Sequence, residues 1–229
     1  MAGQMARLPL DGVAIDMQHG MVDFADAAAM IQIVAAQGRP AVVRVLWNDP
    51  GLVGQALDAG ASAVIAPMVN SRAQAIALVK AAKYPPMGQR SWGGYAMVQT
   101  AGISPAEYLA HANDMTLVFA MIETREALDA VEEIASVPGL DGLFVGPSDL
   151  SIALSNGAGI DKTAPHTLAA MEKVVAACKR HKLFAGAFAG SADVINIYAK
   201  LGFQFMAAVV DVEVLRQGVA AAMKDVKAV

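Results

Sequence analysis

Cysteine is nearly absent from this chain: Cys178 is the single one among 229 residues. That excludes an internal disulfide framework and a cysteine-rich zinc site, and it points to a reducing, cytoplasmic setting. Charge is sparse as well. Only 17% of the residues are charged, and 17 Lys and Arg against 21 Asp and Glu leave a net charge of −4. No basic footprint is offered to a nucleic-acid backbone, and no Lys/Arg run to an anionic membrane. Long apolar runs are missing too, since none approaches the ~18 residues of a transmembrane helix. Residues 1–10, interrupted by Arg7, lack the sustained apolar core of a signal peptide. No Gly-x-Gly-x-x-Gly or Walker-type loop follows a strand-like run, so nucleotide binding has no support. A serine hydrolase lacks its Gly-x-Ser-x-Gly elbow.

What the chain has in quantity is apolar residues, 56% of the total. With no membrane segment to absorb them, they must fill a core and subunit interfaces. The length suits one domain spanning 1–229, because single α/β barrels run to ~200–250 residues. Short β-branched runs alternate with Ala-rich stretches of helical period from end to end. Strands are expected at 13–15, 41–45, 63–65, 117–122, 143–145, 184–188 and 205–210. Helices are expected at 23–37, 51–59, 71–82, 105–113, 125–135, 167–181, 192–201 and 212–226. The segment 84–104, with Pro85-Pro86, Gly88, Gly93-Gly94 and Gly102, reads as a long loop, and a Gly/Ser loop follows the fifth strand. Continuous apolar strands, each followed by a helix, specify a parallel sheet covered on both faces.

In a parallel barrel the active site is built at the strands' C-terminal ends. Asp16 and His19 follow the first strand, Arg44 closes the second, Glu123 follows the fourth, Asp149 the fifth, and Asp211 the last. Glu123 and Asp149 end consecutive strands, so two carboxylates without Cys or His could share a hard divalent cation. Each also has a plain helix-start reading: Asp149 as a cap within Ser148-Asp149-Leu150-Ser151, and Glu123 in the first turn of the next helix. His19 sits in a turn suited to acid–base chemistry near neutral pH. His111, His166 and His181 read as solvated. Arg44, pointing toward a barrel interior, requires an anionic substrate or a carboxylate such as Asp16. Asp58 ends a helix, where an acid opposes the dipole and hints at another use. Arg72, Lys80 and Lys83 read as solvated charges, and Arg90 as a loop arginine that faces solvent or reaches an anion.

Five ordered motifs resemble the HpcH/HpaI aldolase family. They are Ile15-Asp16-Met17-Gln18-His19-Gly20, Arg44-Val45-Leu46-Trp47-Asn48-Asp49, Tyr84-Pro85-Pro86-Met87-Gly88-Gln89-Arg90-Ser91, Met121-Ile122-Glu123-Thr124-Arg125 and Phe144-Val145-Gly146-Pro147-Ser148-Asp149-Leu150-Ser151. The resemblance implies a (β/α)8 TIM barrel of the phosphoenolpyruvate/pyruvate type and a class II, metal-dependent aldolase of 2-oxo acids. It further implies reversible cleavage of a 4-hydroxy-2-oxo acid to pyruvate, or a close 2-oxo acid, and an aldehyde through a metal-bound enolate. Glu123 and Asp149 would hold the divalent cation (Mg2+, Mn2+ or Co2+). Arg44 would stabilise the enolate oxygen, and Gly146, Pro147 and Ser148 would line the substrate carboxylate site. His19 matches the acid–base histidine. Asp58 matches its partner acid, across a subunit boundary, and Asp16 the acid that orients Arg44 or a metal-bound water. The expected assembly is a homo-oligomer, a hexamer built as a trimer of dimers with an exchanged C-terminal helix.

Two positions depart from the family pattern. Gln18 stands where some members carry Glu, and Met121 where some carry Gln, which bears on donor or acceptor preference. Two other readings remain open: a catalytically silent oligomeric or ligand-binding homologue, and a citrate-lyase-like CoA-thioester lyase. Only seven strand-plus-helix units are counted, and the resemblance begins at the family's second strand. The expectation is therefore a barrel lacking its first strand, less stable than a form extended at the N-terminus.

Overall fold

The computed structural model describes residues 1–224 and 226. A short helix α1 (Ala2–Met5) leads into β1 (Val13–Asp16), α2 (Phe24–Ala35), β2 (Ala41–Arg44), α3 (Pro50–Asp58), β3 (Ala63–Ala66) and α4 (Arg72–Ala82). Then come α5 (Tyr95–Ala101), α6 (Pro105–Met115), β4 (Leu117–Ile122), α7 (Arg125–Asp129), α8 (Val131–Ala135) and β5 (Gly142–Val145). The chain continues through α9 (Pro147–Leu154), α10 (Pro165–His181), β6 (Phe184–Phe188), α11 (Ala192–Leu201), β7 (Phe205–Ala207) and α12 (Asp211–Ala222).

The helix starts are written in short polar side chains. Asp23, Asp49, Ser71, Ser104 and Thr124 each accept a backbone N–H three residues on, and Pro50 and Pro105 occupy first-turn positions where no amide is needed. Five expectations are corrected. The segment 84–104 is not wholly loop, because it contains α5, closed by Gly102 in the left-handed region. The Gly/Ser stretch after β5 winds into α9. The stretch 125–135 is two helices, broken at Ala130. The expected last strand ends at Ala207 and the last helix at Ala222, with residue 225 outside the described set.

All strands run parallel, in the order β1-β2-β3-β4-β5-β6-β7, and curl into a nearly closed barrel. Their outward faces join the inward stripes of the helices in one large core that includes Ile15, Val43, Val64, Ile122 and Val145. Their inward faces make a second core of Val42, Ala63, Ile65, Phe119, Met121 and Phe144. Phe205 fills the axis, stacked on Phe119 at 5.1 Å and edge-on to Phe144 at 6.0 Å. Gly142 and Gly186 make room for these rings, since a Cβ at either would strike an aromatic side chain. With both faces buried the strands read as unbroken apolar runs, which is why they were legible.

Among the described residues, β1 and β7 pair with no strand on their outer edges, so the expected absence of one barrel strand is what the sheet shows. Ala14 of β1 is exposed although Val13 and Ile15 on either side are buried. None of the residues of α12 is buried, and Val212, Val214, Leu215 and Val219 lie open on it. No helix among the described residues is long and apolar enough to cross a membrane.

Candidate active site

Asp16 and Arg44 are register partners at the ends of β1 and β2, on the inward face. Arg44 Nε and Nη2 donate to Asp16 Oδ1 and Oδ2 at 2.9 and 2.5 Å, a two-pronged grip. The N–H groups of Gln18 and His19 donate to the same carboxylate at 3.0 and 3.2 Å, which folds the turn bearing His19 around it. Burial pushes the Asp16 carboxyl up, but Arg44 and these two amides outweigh it, leaving it below the ordinary range for an aspartate. The partner that Arg44 requires is therefore Asp16. The guanidinium keeps 20% of its side-chain surface open, so it can still meet a ligand.

Glu123 lies one residue beyond β4 and is almost fully buried. It does not start the next helix, whose cap is Thr124. Its Oε1 instead accepts the N–H of Met68 at 2.7 Å. Met68 has φ 57°, a left-handed conformation uncommon outside glycine, at the very residue whose amide meets the carboxylate. Nothing in the sequence marks Met68, because any residue could supply that amide. Burial pushes the Glu123 carboxyl above its ordinary range against the pull of the Met68 amide, and the charge of Asp149 adds to the rise, while Arg44 and His19 also pull the other way. Asp149, Arg44 and His19 thus all act on one carboxylate.

Asp149 lies in the first turn of α9, whose cap position is Gly146 and makes no side-chain cap bond. Asp149 is exposed and is not the helix cap. Gly146 packs so tightly against Glu123 and the Met121 methyl that a Cβ there would clash with both. The first-turn amides of Ser148 and Asp149 have no partner within the helix and face the same end of the barrel. Two neighbouring acids, one buried, repel each other unless a cation lies between them, so the donor set fits a hard divalent ion with two protein carboxylates. Among the described residues, no three His, Cys, Asp or Glu side chains converge into a larger ligand group. Met121 sits in the inner core beside Glu123, closing the floor with a thioether.

Asp58 is not in this site. As the last residue of α3, which runs from the C-terminal end of β2 back to the start of β3, it stands at the opposite end of the barrel from His19. There it accepts from Arg90 Nη2 at 2.6 Å. The expectation of a solvent-facing Arg90 is overturned: its side chain is 1% exposed. Lys83 is likewise no solvated charge. It is buried, donates to Asn113 O and Thr116 O at 2.7 and 2.5 Å, and pairs with Asp141 at 2.9 Å. His181 contacts Glu132 at 3.2 Å on the outer surface, away from the site.

With this geometry in place, the comparisons are specific. The profile of the HpcH/HpaI aldolase/citrate lyase family matches residues 1–218. The chain belongs to this family. A hydroxypyruvate/pyruvate aldolase of Rhizorhabdus wittichii is 38% identical, over 99% of this chain and 89% of that one. A 4-hydroxy-2-oxo-heptane-1,7-dioate aldolase of Klebsiella pneumoniae is 32% identical, over 93% of this chain and 80% of that one. The crystal structure of a family protein from Burkholderia cenocepacia superposes with a TM-score of 0.87 at 34% identity, covering 99% of this chain and 90% of that chain. Membership accounts for the placement of Asp16, Arg44, Glu123 and Asp149 at the C-terminal ends of the strands, where barrels of this kind keep their chemistry.

Proposed function

We propose that this chain catalyses reversible aldol cleavage of a 4-hydroxy-2-oxo acid to pyruvate, or a close 2-oxo acid, and an aldehyde, with Mg2+, Mn2+ or Co2+ as cofactor. The observation that carries it is the cluster of the Arg44–Asp16 pair with the carboxylates of Glu123 and Asp149 on one rim of the barrel. The names of its relatives, hydroxypyruvate/pyruvate aldolase and 4-hydroxy-2-oxo-heptane-1,7-dioate aldolase, support the same reaction.

Glu123 and Asp149 would hold the cation, which when bound supplies Lewis acidity to the 2-oxo acid. The amides of Ser148 and Asp149, with Gly146 and Pro147 shaping the turn, would receive the substrate carboxylate at the start of α9, while the Gly146 N–H is engaged by Ile122 O at 3.2 Å. An imidazole nitrogen of His19 takes the proton of the 4-hydroxyl. The C3–C4 bond then breaks, a carbonyl forms at C4 as the aldehyde leaves, and the electron pair moves onto C3 and the 2-oxygen. Arg44, held flat by Asp16, faces the negative charge developing on that oxygen. A proton delivered to C3 completes pyruvate.

Asp58 orients His19 in this reading. Within one chain the two stand at opposite ends of the barrel, so Asp58 acts in a neighbouring copy of a homo-oligomer, the expected hexamer. The open apolar face of α12 supports such an assembly.

Pyruvate in D2O tests the chemistry. Deuterium should enter the methyl group only with one of the three cations present; no cation-dependent exchange overturns the reading, and turnover of acyl-CoA substrates alone moves the chain to the CoA-thioester lyases. Mixing His19→Ala chains with Asp58→Asn chains tests the shared site. Recovered activity on mixing supports it, and none on mixing overturns it.

A further inference from the structure

Arg90 is one of the most thoroughly buried charges in the structure, and its charge meets a single anionic group. Its Nη2 donates to Asp58 Oδ1 at 2.6 Å, while its buried Nε has no hydrogen-bond partner among the described residues. The guanidinium carbon lies 4.8 Å from the centre of the Tyr84 ring. Tyr84 in turn packs against Trp92 at 5.6 Å and Tyr108 at 6.5 Å between ring centres, and Trp92 meets Tyr108 at 5.9 Å. Tyr84 therefore backs the arginine, Trp92 and Tyr108 back Tyr84, and the arginine holds the acid.

The opposite side of that acid is equally tight. Gly93 lies against the Asp58 carboxylate so closely that a Cβ would collide with Oδ2, and Gly94 is packed in the same way against Tyr108. Asp58 also ends α3, where the helix dipole repels a carboxylate. A buried ion pair is a poor way to gain stability, since replacing both of its members by apolar residues of similar size is often neutral or favourable, although removing one member alone is costly. What the arrangement does supply is direction. Asp58 keeps 35% of its side-chain surface open while Arg90 keeps 1%. The acid is aimed outward from a rigid mount.

We propose that Arg90 is a positioning residue for the reaction: seated on Tyr84, which Trp92 and Tyr108 brace, it holds the Asp58 carboxylate in the direction from which it meets His19 of a neighbouring copy. The inference rests on the reading of Asp58 as the acid that orients His19. Arg90 touches neither substrate nor cation and acts through Asp58 alone.

The test is a double-mutant cycle on the assembled enzyme, measuring kcat and KM for cleavage of a 4-hydroxy-2-oxo acid in the parent, Asp58→Asn, Arg90→Met, Arg90→Lys and the doubles Asp58→Asn/Arg90→Met and Asp58→Asn/Arg90→Lys. Arg90→Met should lower kcat by about ten- to a hundredfold, the scale of a misplaced catalytic group, with KM nearly unchanged. Arg90→Lys should recover part of the loss. In the Asp58→Asn background the Arg90 changes should alter kcat by less than about twofold, because the group they position is gone. Equal losses in both backgrounds, or a change confined to KM, overturn the role of Arg90. An Asp58→Asn variant with parental kcat overturns the reading of Asp58 itself and the inference with it. Should Arg90→Met fail to assemble, the Arg90→Lys arm of the cycle decides in the same way.

Discussion

Two arginine–aspartate pairs stand at opposite ends of the barrel. Arg44 grips Asp16 beside the candidate cation site, and Arg90 grips Asp58 below the strands' starting ends. The two aspartates are equally open, with side chains 36% and 35% exposed, but the arginines differ: 20% for Arg44 and 1% for Arg90. The partner that keeps an open edge is the one available to a third group. At the upper end both members are open, so the arginine can meet a developing negative charge. At the lower end the arginine is buried against the Tyr84 ring and only the carboxylate faces outward. In the proposed reaction the same kind of ion pair would serve as an electrophile holder in one place and a carboxylate mount in the other.

The largest expected effect is at the upper pair. Arg44→Met should lower kcat by about two to three orders of magnitude, the scale of losing one donor to a developing oxyanion. Its melting temperature should stay close to the parent's, because the released Asp16 retains two amide donors and solvent. A large thermal loss with modest kinetic loss would erase the contrast. At the lower pair the order reverses for stability. Arg90→Met should cost about 1–3 kcal/mol in urea unfolding, the worth of a hydrogen bond to a charged group in a packed setting. No measurable cost would mean that the aromatic cluster does not depend on its guanidinium.

The smallest effect is the pH dependence of the upper pair. The Asp16 carboxyl is lowered in the folded chain, so its pairing contributes stability that is present above the ordinary aspartate range and lost as pH falls through the lower folded value. Against Asp16→Asn, the parent should be favoured above about pH 4, with the difference closing below it. Because the pair is partly exposed, the difference should stay under about 1 kcal/mol. A gap that widens on acidification would contradict the assigned pairing.

Much of the upper end is legible in the sequence. Strands buried on both faces read as apolar runs, and Asp16, Arg44, Glu123 and Asp149 each follow one, so a parallel barrel alone brings them to one rim. Asp49 and Ser71 mark helix starts for an equally local reason, a side-chain oxygen that meets an orphan amide three residues on. The lower end was not legible. Arg90 and Lys83 look like ordinary surface charges, because nothing local reveals that Tyr84 and Asp58 will meet the one, or Asn113 and Thr116 the other. α9 escaped notice because Ser and Gly residues mask an eight-residue helix that begins on Pro147.

The alternation of strand and helix, the seven units of the sheet and the end of the barrel that carries the acids follow from the sequence alone, since periodicity and strand-end position are local properties that every fold of this type must honour. Only the tertiary structure decided that the Met68 amide would satisfy Glu123, that Arg44 would be held by Asp16, and that Asp58 would stand a barrel's length from His19, mounted on a buried arginine. Those are contacts between residues 28 to 55 positions apart in the chain, or the lack of one, and only packing determines them.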